Sequence, residues 1–376
     1  MLPWLVAGCQ SGGGKQVAPP ATVATRDDEA GLARLFTELQ DDILTSYERD
    51  EPPDLDTGMI DPRVGTARIG AGPDDVYIAG DLAKAPSRWP LEVDRKTRTE
   101  VRSKRLVIQI AADQSAAWMA DEVSWRIEAC GRTAVIPLRI TALYAHDGDR
   151  WVPVFEHLSF GTPPALDAVA TKPIKTEVVS GELETALNAV VERGLLGTPH
   201  DPLVVAQDPA VIVLGPDAGD EWHGAQVLAA PALAGKLEER RIGTVGRSPR
   251  EPSVAYWVGN YTADVPARGE LAAGKAHLRA TFVFEKQPFA MGSGKAPDAQ
   301  TCSKDARSRP RDVECRWVLV QSHLSQPITD DDLTRQVFGT ALVAAKPLRF
   351  DCADRAPTAP AAAPRPATRP PATRTP

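Results

Sequence analysis

The sequence predicts an α+β protein made of two domains with the same plan, and two observations carry that prediction. Residues 150–159 (RWVPVFEHLS) recur as residues 316–325 (RWVLVQSHLS), with seven of ten positions identical. In each half, a segment of helical periodicity precedes several segments in which apolar and polar residues alternate. Helices followed by antiparallel strands are typical of the α+β class. The repeat is too long for a solenoid or propeller unit, so each copy is expected to be a whole domain.

Two shorter echoes extend the repeat and indicate an insertion. Residues 138–141 (LRIT) recur as 278–281 (LRAT) at an offset of 140, and Trp118 is matched by Trp257 at an offset of 139. The offset then grows to 166 at the longest repeat. The second copy is therefore predicted to carry an inserted hairpin loop at 287–312, where Gly, Pro, Ser, Lys and Arg dominate.

The chain of 376 residues, 43% of them hydrophobic, is long enough to bury two ordinary cores. The offsets and the composition of the two ends divide it into five parts. These are a signal remnant and flexible tether at 1–25, a first domain at 26–165, a linker at 166–180, a second domain at 181–352, and a disordered tail rich in Pro, Ala and Arg at 353–376.

Each predicted domain opens with an amphipathic helix. In the first, apolar residues between 27 and 47 fall on one face, and acidic residues concentrate in the first turn, where the helix dipole favours them. In the second, apolar residues between Gly181 and Gly194 have the same spacing. Each helix needs an apolar surface to pack against, and a sheet is expected to supply it.

The strands of that sheet are predicted from alternation bounded by Gly, Asp or Pro. The first copy has four such segments, at 106–110, 117–127, 134–144 and 151–160. The second copy has three, at 254–265, 276–285 and 317–326.

The N-terminal residues Leu5-Val6-Ala7-Gly8-Cys9 resemble a bacterial lipobox, in which the cysteine is acylated after signal cleavage. The glycine-rich segment 10–14 is typical of a flexible tether. An ordinary cysteine near a chain end is the alternative. We expect lipidation at Cys9 and export to the bacterial cell envelope, in the periplasm or at the outer membrane. Since no run of 18 apolar residues exists, contact with the membrane is expected through the lipid anchor only.

The remaining cysteines favour a disulfide over a metal site. Cys302 and Cys315 flank the basic part of the inserted loop, and a bridge between them would stabilise it by about 3 kcal/mol. The pairing of Cys130 and Cys352 stays open. No CxxC or Cys/His spacing is present and the six histidines are scattered, so neither a metal nor a redox centre is expected.

Charge and motifs exclude further classes of function. The four arginines of the tail 355–376 have no acidic counterpart there, so the formal charge of −7 becomes −11 for the rest of the chain, which is expected to repel nucleic acid. The sequence contains no phosphate-binding loop and no nucleophile elbow. No cofactor is expected.

A leading helix, a four-strand sheet and a last strand with the pattern Trp-x-x-x-x-x-His-x-Ser resemble the SnoaL-like branch of the nuclear transport factor 2-like superfamily. Trp222-His223-Gly224 also resembles that family, since it follows the apolar run 210–214 and precedes a predicted helical stretch around Leu233 and Leu237. The resemblance covers most of 26–165 and 180–350. It implies two cone-shaped domains, each a curved, mostly antiparallel sheet wrapped around N-terminal helices. It does not imply an activity, because the superfamily includes isomerases, cyclases, kinase-association modules and binding domains.

Asp121 is the candidate catalytic residue. It falls on the apolar face that alternation gives to Met119, Val123 and Trp125, and a carboxylate in an apolar cone has a raised pKa suited to a general base. The alternative is an aspartate at a strand bend, bonded to a backbone amide or to Arg139.

The remaining candidates are ligand-binding residues. His157 and His323 hold equivalent places in the repeat, where each could bind an anion or relay a proton, or instead cap a sheet edge. Alternation places these rings on the faces of Trp151 and Trp317. Arg139 and Arg279 could hold a carboxylate, or lie on the outer face of the sheet. Side chains that could line an open cone are Trp125, Tyr256 and Asn260, the last counted from the tryptophans as the counterpart of Asp121.

These observations favour a non-catalytic, envelope-tethered protein that binds a small ligand or a protein partner. The first alternative is an isomerase- or cyclase-type enzyme that uses Asp121 as a general base. The second is a structural module in which the paired domains form a dimer within one chain. Association of separate chains into a homo-oligomer through sheet faces is a further expectation, because such sheets commonly pair.

Overall fold

The fold is described from a computed structural model of the chain. The residues described are 26–48, 67–78, 98–129, 132–148, 150–161, 171–196, 201, 204–206, 211–230, 234–247, 251–265, 273–291, 297–304, 306–329, 332 and 333. Cys9, Cys130, Cys352, the tether and the tail lie outside these residues.

The first half contributes one helix, α1 (Arg26–Glu48), and a mixed seven-stranded sheet. Its strands are β1 (Ala67–Ile69), β2 (Val76–Ile78), β3 (Arg98–Ser103), β4 (Val107–Ile110), β5 (Ala116–Ala129), β6 (Arg132–Asp147) and β7 (Arg150–Ser159). The order across the sheet is β2-β1-β7-β6-β5-β3, and β4 also pairs with β5. The pair β1 and β7 is parallel, and the other pairs are antiparallel.

The second half contributes helix α2 (Gly181–Val191), which continues as a π-helical turn at Glu192–Leu196, and a second mixed seven-stranded sheet. Its strands are β8 (Glu177–Val178), β9 (Ile212–Leu214), β10 (Glu221–His223), β11 (Gly235–Val245), β12 (Val254–Val265), β13 (Gly274–Ala290) and β14 (Val313–Ser325). The order is β10-β9-β14-β13-β12-β11-β8. Short 3-10 helices cover Gly224–Ala229, Ala299–Ser303 and Ala306–Ser308.

The two sheets follow the same path. Each has a short outer hairpin, a parallel contact from that hairpin to the last long strand, and an antiparallel series that continues from there to β3 in the first sheet and to β11 in the second. The described part of the chain is therefore α+β, with two mixed sheets and few helices. The sheets differ at one edge, where β8 pairs in parallel with β11.

Helix α1 forms at its predicted position because its apolar stripe has a sheet face to cover. Leu35, Leu39, Ile43 and Tyr47 are buried, and they join residues of β4 to β7 in one apolar cluster. In α2, the Ser180 hydroxyl accepts a hydrogen bond from the backbone N–H of Leu183 and so caps the first turn.

Strands β13 and β14 are longer than alternation predicts, and the inserted loop is correspondingly shorter. Residues 287–290 extend β13 and pair with the start of β14, so the hairpin itself has grown and the loop spans 291–312. The structure joins Cys302 and Cys315 in a disulfide, with 5.7 Å between their Cα atoms. The expectation of a helical stretch around Leu237 is wrong, because this residue lies in β11, where it pairs with Tyr261.

One-residue bulges correct the predicted orientation of the repeated histidines. The register between β6 and β7 shifts by one residue at Leu143/Tyr144. The register between β13 and β14 shifts in the same way at Val283/Phe284. A bulge of this kind reverses the alternation beyond it. Trp151 consequently shares the α1 cluster with Leu158, whereas His157 lies on the opposite face.

Candidate functional site at the contact between the two sheets

The two equivalent histidines meet between the sheets. The rings of His157 and His323 stack with 3.9 Å between their centroids and 20° between their planes. Both residues are completely buried. The face of the first sheet that bears His157 therefore lies against the face of the second sheet that bears His323.

Each histidine is bonded by hydroxyl groups of the other half. His157 Nδ1 lies 3.1 Å from Thr281 Oγ1, and its Nε2 lies 2.7 Å from Ser325 Oγ. His323 repeats the pattern, because its Nδ1 lies 2.9 Å from Thr141 Oγ1 and its Nε2 lies 2.8 Å from Ser159 Oγ. A hydroxyl can donate or accept, so either neutral tautomer is accommodated. All four ring nitrogens are satisfied across the contact.

Burial keeps both rings uncharged. Loss of solvation lowers the pKa of His157 well below its ordinary value, and the charges of Arg279 and Arg139 add to the effect. Loss of solvation likewise lowers the pKa of His323, with smaller contributions from His157 and Arg139. A neutral, fully bonded imidazole has no free nitrogen for an anion, and water does not reach either ring.

The two equivalent arginines also reach across the contact. The Arg139 guanidinium donates to the backbone carbonyl of Asp217 over 2.9 Å, to that of Pro216 over 3.3 Å and to Ser159 Oγ over 3.3 Å. Pro216 and Asp217 belong to the turn between β9 and β10. Burial lowers the pKa of Arg139 to about 10, and the nearby acidic groups of that hairpin oppose the shift.

Arg279 makes the reciprocal contact with the turn between β1 and β2. Its guanidinium donates to the carbonyls of Gly72 and Pro73, and the residue is completely buried. Burial lowers the pKa of Arg279 to about 10, while Asp75 and Asp74 oppose the shift. The prediction that these arginines could lie on the outer face of the sheet is therefore wrong.

Sequence reasoning missed the two turns that receive the arginines. Each turn begins with a glycine directly after a strand and ends with an aspartate. The N–H of Gly70 donates to the carbonyl of Asp75, and the N–H of Gly215 donates to the carbonyl of Asp220, both over 2.8 Å. A Cβ at either glycine would lie 2.6 to 2.7 Å from the aspartate Cβ, so the tight turn requires glycine. An apolar residue followed by Gly, with Asp five positions after the glycine, recurs at an offset of 145, and that signal could have revealed them.

Asp121 lies on the other side of the first sheet, at a break in the edge. Its Oδ1 accepts hydrogen bonds from Ser103 Oγ over 3.1 Å and from the N–H of Arg105 over 3.2 Å, where β3 gives way to β4. Burial raises the pKa of Asp121, while hydrogen bonds from Ser103, Arg105, Tyr47 and Lys104 oppose the rise. Asp121 makes no hydrogen bond to Arg139. The carboxylate thus bonds the backbone at a strand break, and it faces α1 rather than the histidines.

The strand registers correct the counterpart of Asp121. Ile140, opposite Asp121, is equivalent to Ala280, which lies opposite Gly259. Asp121 is therefore equivalent to Gly259, not to Asn260. The offset of 139 taken from the tryptophans was one residue too long, and one residue exchanges the two faces of a strand.

The aromatic and amide candidates do not join the histidines in one pocket. Trp125 is buried in the apolar cluster under α1, and Tyr256 lies between the sheets with its ring centroid 6.2 Å from that of Phe155. Asn260 donates from Nδ2 to Glu239 Oε2 over 3.1 Å, at the break in β11.

A half-open cleft of about 260 Å3, including the solvent at its mouth, lies where β4 and β5 meet the hairpin β9–β10. Its apolar lining consists of Val107, Ala120, Ile212 and Leu214. Its charged and polar lining consists of Arg105, Asp121, Glu122, Arg139, Glu221 and His223, so the candidate base and one candidate arginine border this cleft. Within this lining, Glu221 accepts hydrogen bonds from Arg105 and, over 2.6 Å, from His223 Nε2. Burial acts to raise the pKa of Glu221, but these two bonds hold it below its ordinary value.

Within the described ranges, no three His, Cys, Asp or Glu side chains are grouped to hold a metal ion. Among the same residues, no helix has the length and apolar character that a bilayer crossing needs.

No family model matches the chain, and no curated protein matches its sequence. Among solved structures, it is similar to the Chlamydamonas reinhardtii CamKII hub homology domain, with a TM-score of 0.26 and 16% identity over 35% of this chain and 98% of that one. It is also similar to an Ntf2-like protein involved in plasmid conjugation, with a TM-score of 0.18 and 10% identity over 63% of this chain and 81% of that one. Both likenesses are weak, and they carry no conclusion about activity or partners.

Proposed function

We propose that the chain is a non-catalytic binding protein whose two nuclear transport factor 2-like domains arose by duplication and form a dimer within one chain. In this proposal each domain is a cone, with its sheet curved around its leading helix. The observation that carries the proposal is the reciprocal bonding of His157 and His323, in which each ring is held by a Thr and a Ser of the other half.

This bonding supports a structural role for the histidines and arginines that an enzyme or a ligand site would need. A relay histidine must be able to accept a proton, yet both rings are buried and neutral. A ligand-binding arginine must be within reach of its ligand, yet Arg139 and Arg279 are buried between the halves and donate to backbone carbonyls of opposite turns. We therefore place binding of a partner outside the central contact, at the rim where the two halves meet.

An isomerase- or cyclase-type enzyme with Asp121 as general base is the second candidate, because burial raises the pKa of this carboxylate as such a base requires. Its bonds to Ser103 and to the Arg105 backbone favour the binding protein instead. The substitution Asp121→Asn separates the two candidates. A structural aspartate predicts an unchanged free energy of unfolding within about 1 kcal/mol and no change in partner binding.

Light scattering on the full chain tests the proposed pairing. If the sheet faces are occupied within the chain, the protein should elute with the mass of one chain, 40.3 kDa, at all micromolar concentrations. A stable homodimer that is split by substitutions at His157 and His323 would show that these faces pair between chains, and would overturn the proposal.

We also propose that the protein is tethered to the bacterial envelope through lipid on Cys9, which lies outside the described residues. The support is the lipobox-like segment and the glycine-rich residues behind it. Cys9→Ser should move the protein from the membrane fraction to the soluble fraction of the envelope. Unchanged lipid labelling of that variant would refute the anchor.

A further inference from the structure

The half-open cleft has an equivalent on the other side of the contact, where β11 and β12 meet the hairpin β1–β2. Residues 172–178 of the linker occupy that place. We call these the open cleft and the linker cleft. At the linker cleft, Lys172 donates from its backbone N–H to the Pro73 carbonyl over 3.0 Å and from Nζ to the Val76 carbonyl over 2.9 Å. The N–H of Ile174 donates to Glu239 Oε2 over 2.7 Å, and Ile174 is 1% exposed.

The linker crosses this place as an extended strand. After Ile174, the Thr176 hydroxyl accepts from the Arg240 N–H over 3.3 Å, and Glu177 and Val178 then pair with β11 as strand β8. Glu177 also forms an ion pair with Arg241. An extended segment therefore seals one of two equivalent clefts by adding to the sheet edge and burying an aliphatic side chain.

The strand registers show what replaces each linker-contacting residue at the open cleft. Val76 and Tyr77 of β2 are equivalent to Glu221 and Trp222 of β10, because each pair lies opposite equivalent positions of β1 and β9. Arg241 of β11 is equivalent to Val107.

We propose that the open cleft binds an extended peptide segment of a partner protein with the pattern basic-x-aliphatic-x-x-apolar. The aliphatic residue is branched, and x is any residue. The proposal rests on the proposed binding function and names the class of partner. The occupant would lie as Lys172, Ile174 and Glu177 lie in the linker cleft, with the last of these replaced by an apolar side chain.

Two replacements favour a basic residue in the first position. At the linker cleft, Lys172 Nζ lies 5.6 Å from the centroid of the Tyr77 ring. The open cleft has Trp222 at the equivalent place, and indole attracts cations more strongly than phenol does. It also has the Glu221 carboxylate where the linker cleft has Val76, and an incoming ammonium group would share this carboxylate with Arg105 and His223.

The other two positions follow from the lining. Val107, Ala120 and Leu214 form an apolar floor that suits the aliphatic residue. Because Val107 stands where Arg241 pairs with Glu177, an acidic residue would lose its partner there, and an apolar residue is preferred.

The test uses the full chain and a fluorescent peptide with the sequence of residues 171–178 carrying Glu177→Leu. Fluorescence anisotropy should show saturable binding with a dissociation constant below about 1 mM. The same peptide with Lys172→Ala and Ile174→Ser should bind at least about tenfold more weakly. Absence of saturable binding, or equal binding of both peptides, overturns the proposal. Neither result would alter the mass expected from light scattering, so the two proposals fail separately.

Matched variants of the protein locate the site. Glu221→Gln and Val107→Asp should each weaken peptide binding about tenfold, whereas Glu314→Gln, at an exposed Arg–Glu pair, should leave it unchanged. Tyr77→Leu, at the linker cleft, should also leave it unchanged. Circular dichroism confirms that each variant is folded before its result is used. Equal effects at both clefts would overturn the assignment.

A photo-crosslinking residue at position 107 distinguishes a partner from the chain itself. With the labelled peptide present, the crosslinked product should contain the peptide. The contrary outcome is an intramolecular crosslink between position 107 and residues 17–25 that persists when the peptide is added. That outcome would overturn the proposal of a partner segment.

Discussion

At the scale of single residues, the contact between the halves consists of polar groups that hydrogen-bond to each other. Thr141 and Ser159 bond His323, and Thr281 and Ser325 bond His157. These hydroxyls come from the short repeats that the sequence displays, Leu-Arg-x-Thr and His-Leu-Ser. The matching residues of the two repeated segments are thus bonded to each other across the contact.

The buried histidines predict a specific dependence of stability on pH. Their pKa values in the folded protein lie well below 6.5, so below about pH 6.5 the unfolded chain takes up protons that the folded chain does not. The free energy of unfolding should therefore fall as the pH falls from 6.5 towards 5, with a slope that rises to about 1.4 kcal/mol per pH unit for each histidine. Urea unfolding at a series of pH values measures this slope.

The double variant His157→Gln and His323→Gln is the control for that slope. It removes both titrating groups, so its slope between pH 6.5 and 5 should be lower by up to about 2.8 kcal/mol per pH unit, twice the single-group value. Imidazole resonances of these two residues that titrate near pH 6.5 in the folded protein would contradict the neutral, bonded rings.

At the scale of elements, the sequence predicted the two helices that open the halves and most of the long strands, because each shows one clear period. The long strand β11 is the exception, since a helical stretch was expected around Leu237. The helix predicted at 27–47 is observed as Arg26–Glu48, and the strand predicted at 254–265 is observed with those bounds. The three-residue strands of the hairpins β1–β2 and β9–β10 are too short to show alternation. Their pairing depends on contacts distant in the sequence.

The sequence singled out the two histidines and two arginines that meet at the contact, but it did not predict the strand faces on which they lie. One inserted residue in β7 reverses the orientation of His157 relative to Trp151, and nothing local marks the bulge. The same limit applies to Arg139 and Arg279. The local sequence around a strand arginine is the same whether its side chain meets solvent or a turn 77 or more positions away. The partner carbonyls carry no signature in a sequence.

The Cys302–Cys315 bridge should stabilise the loop that connects β13 and β14. It closes a loop with a sequence separation of 13, for which the chain-entropy account gives about 3 kcal/mol. In the reduced protein, or in Cys302→Ser, residues 297–312 should become more accessible to protease, while the central contact is unaffected. Trypsin cleavage followed by mass spectrometry measures the rates. Equal rates with and without reductant would contradict a bridge that orders this loop.

At the scale of the whole molecule, the two halves share one continuous contact. At one end, Asp113 Oδ2 accepts from Ser253 Oγ over 2.6 Å, and nearer the histidines Gln321 Nε2 donates to the Met119 carbonyl over 2.9 Å. These bonds, the stacked rings and the arginine contacts together use buried polar groups from both halves. Separation of the halves would leave those groups without partners, which is costly.

The most direct test of this account is to cut the covalent connection between the halves. A protease site introduced between residues 166 and 167 permits cleavage of the folded chain. We expect the two fragments to remain together as one particle of about 40 kDa in native mass spectrometry, because the sheet-to-sheet contact holds them. Fragments that separate at micromolar concentration while both stay folded would contradict the account, since the contact around His157 and His323 would then not be needed for either half.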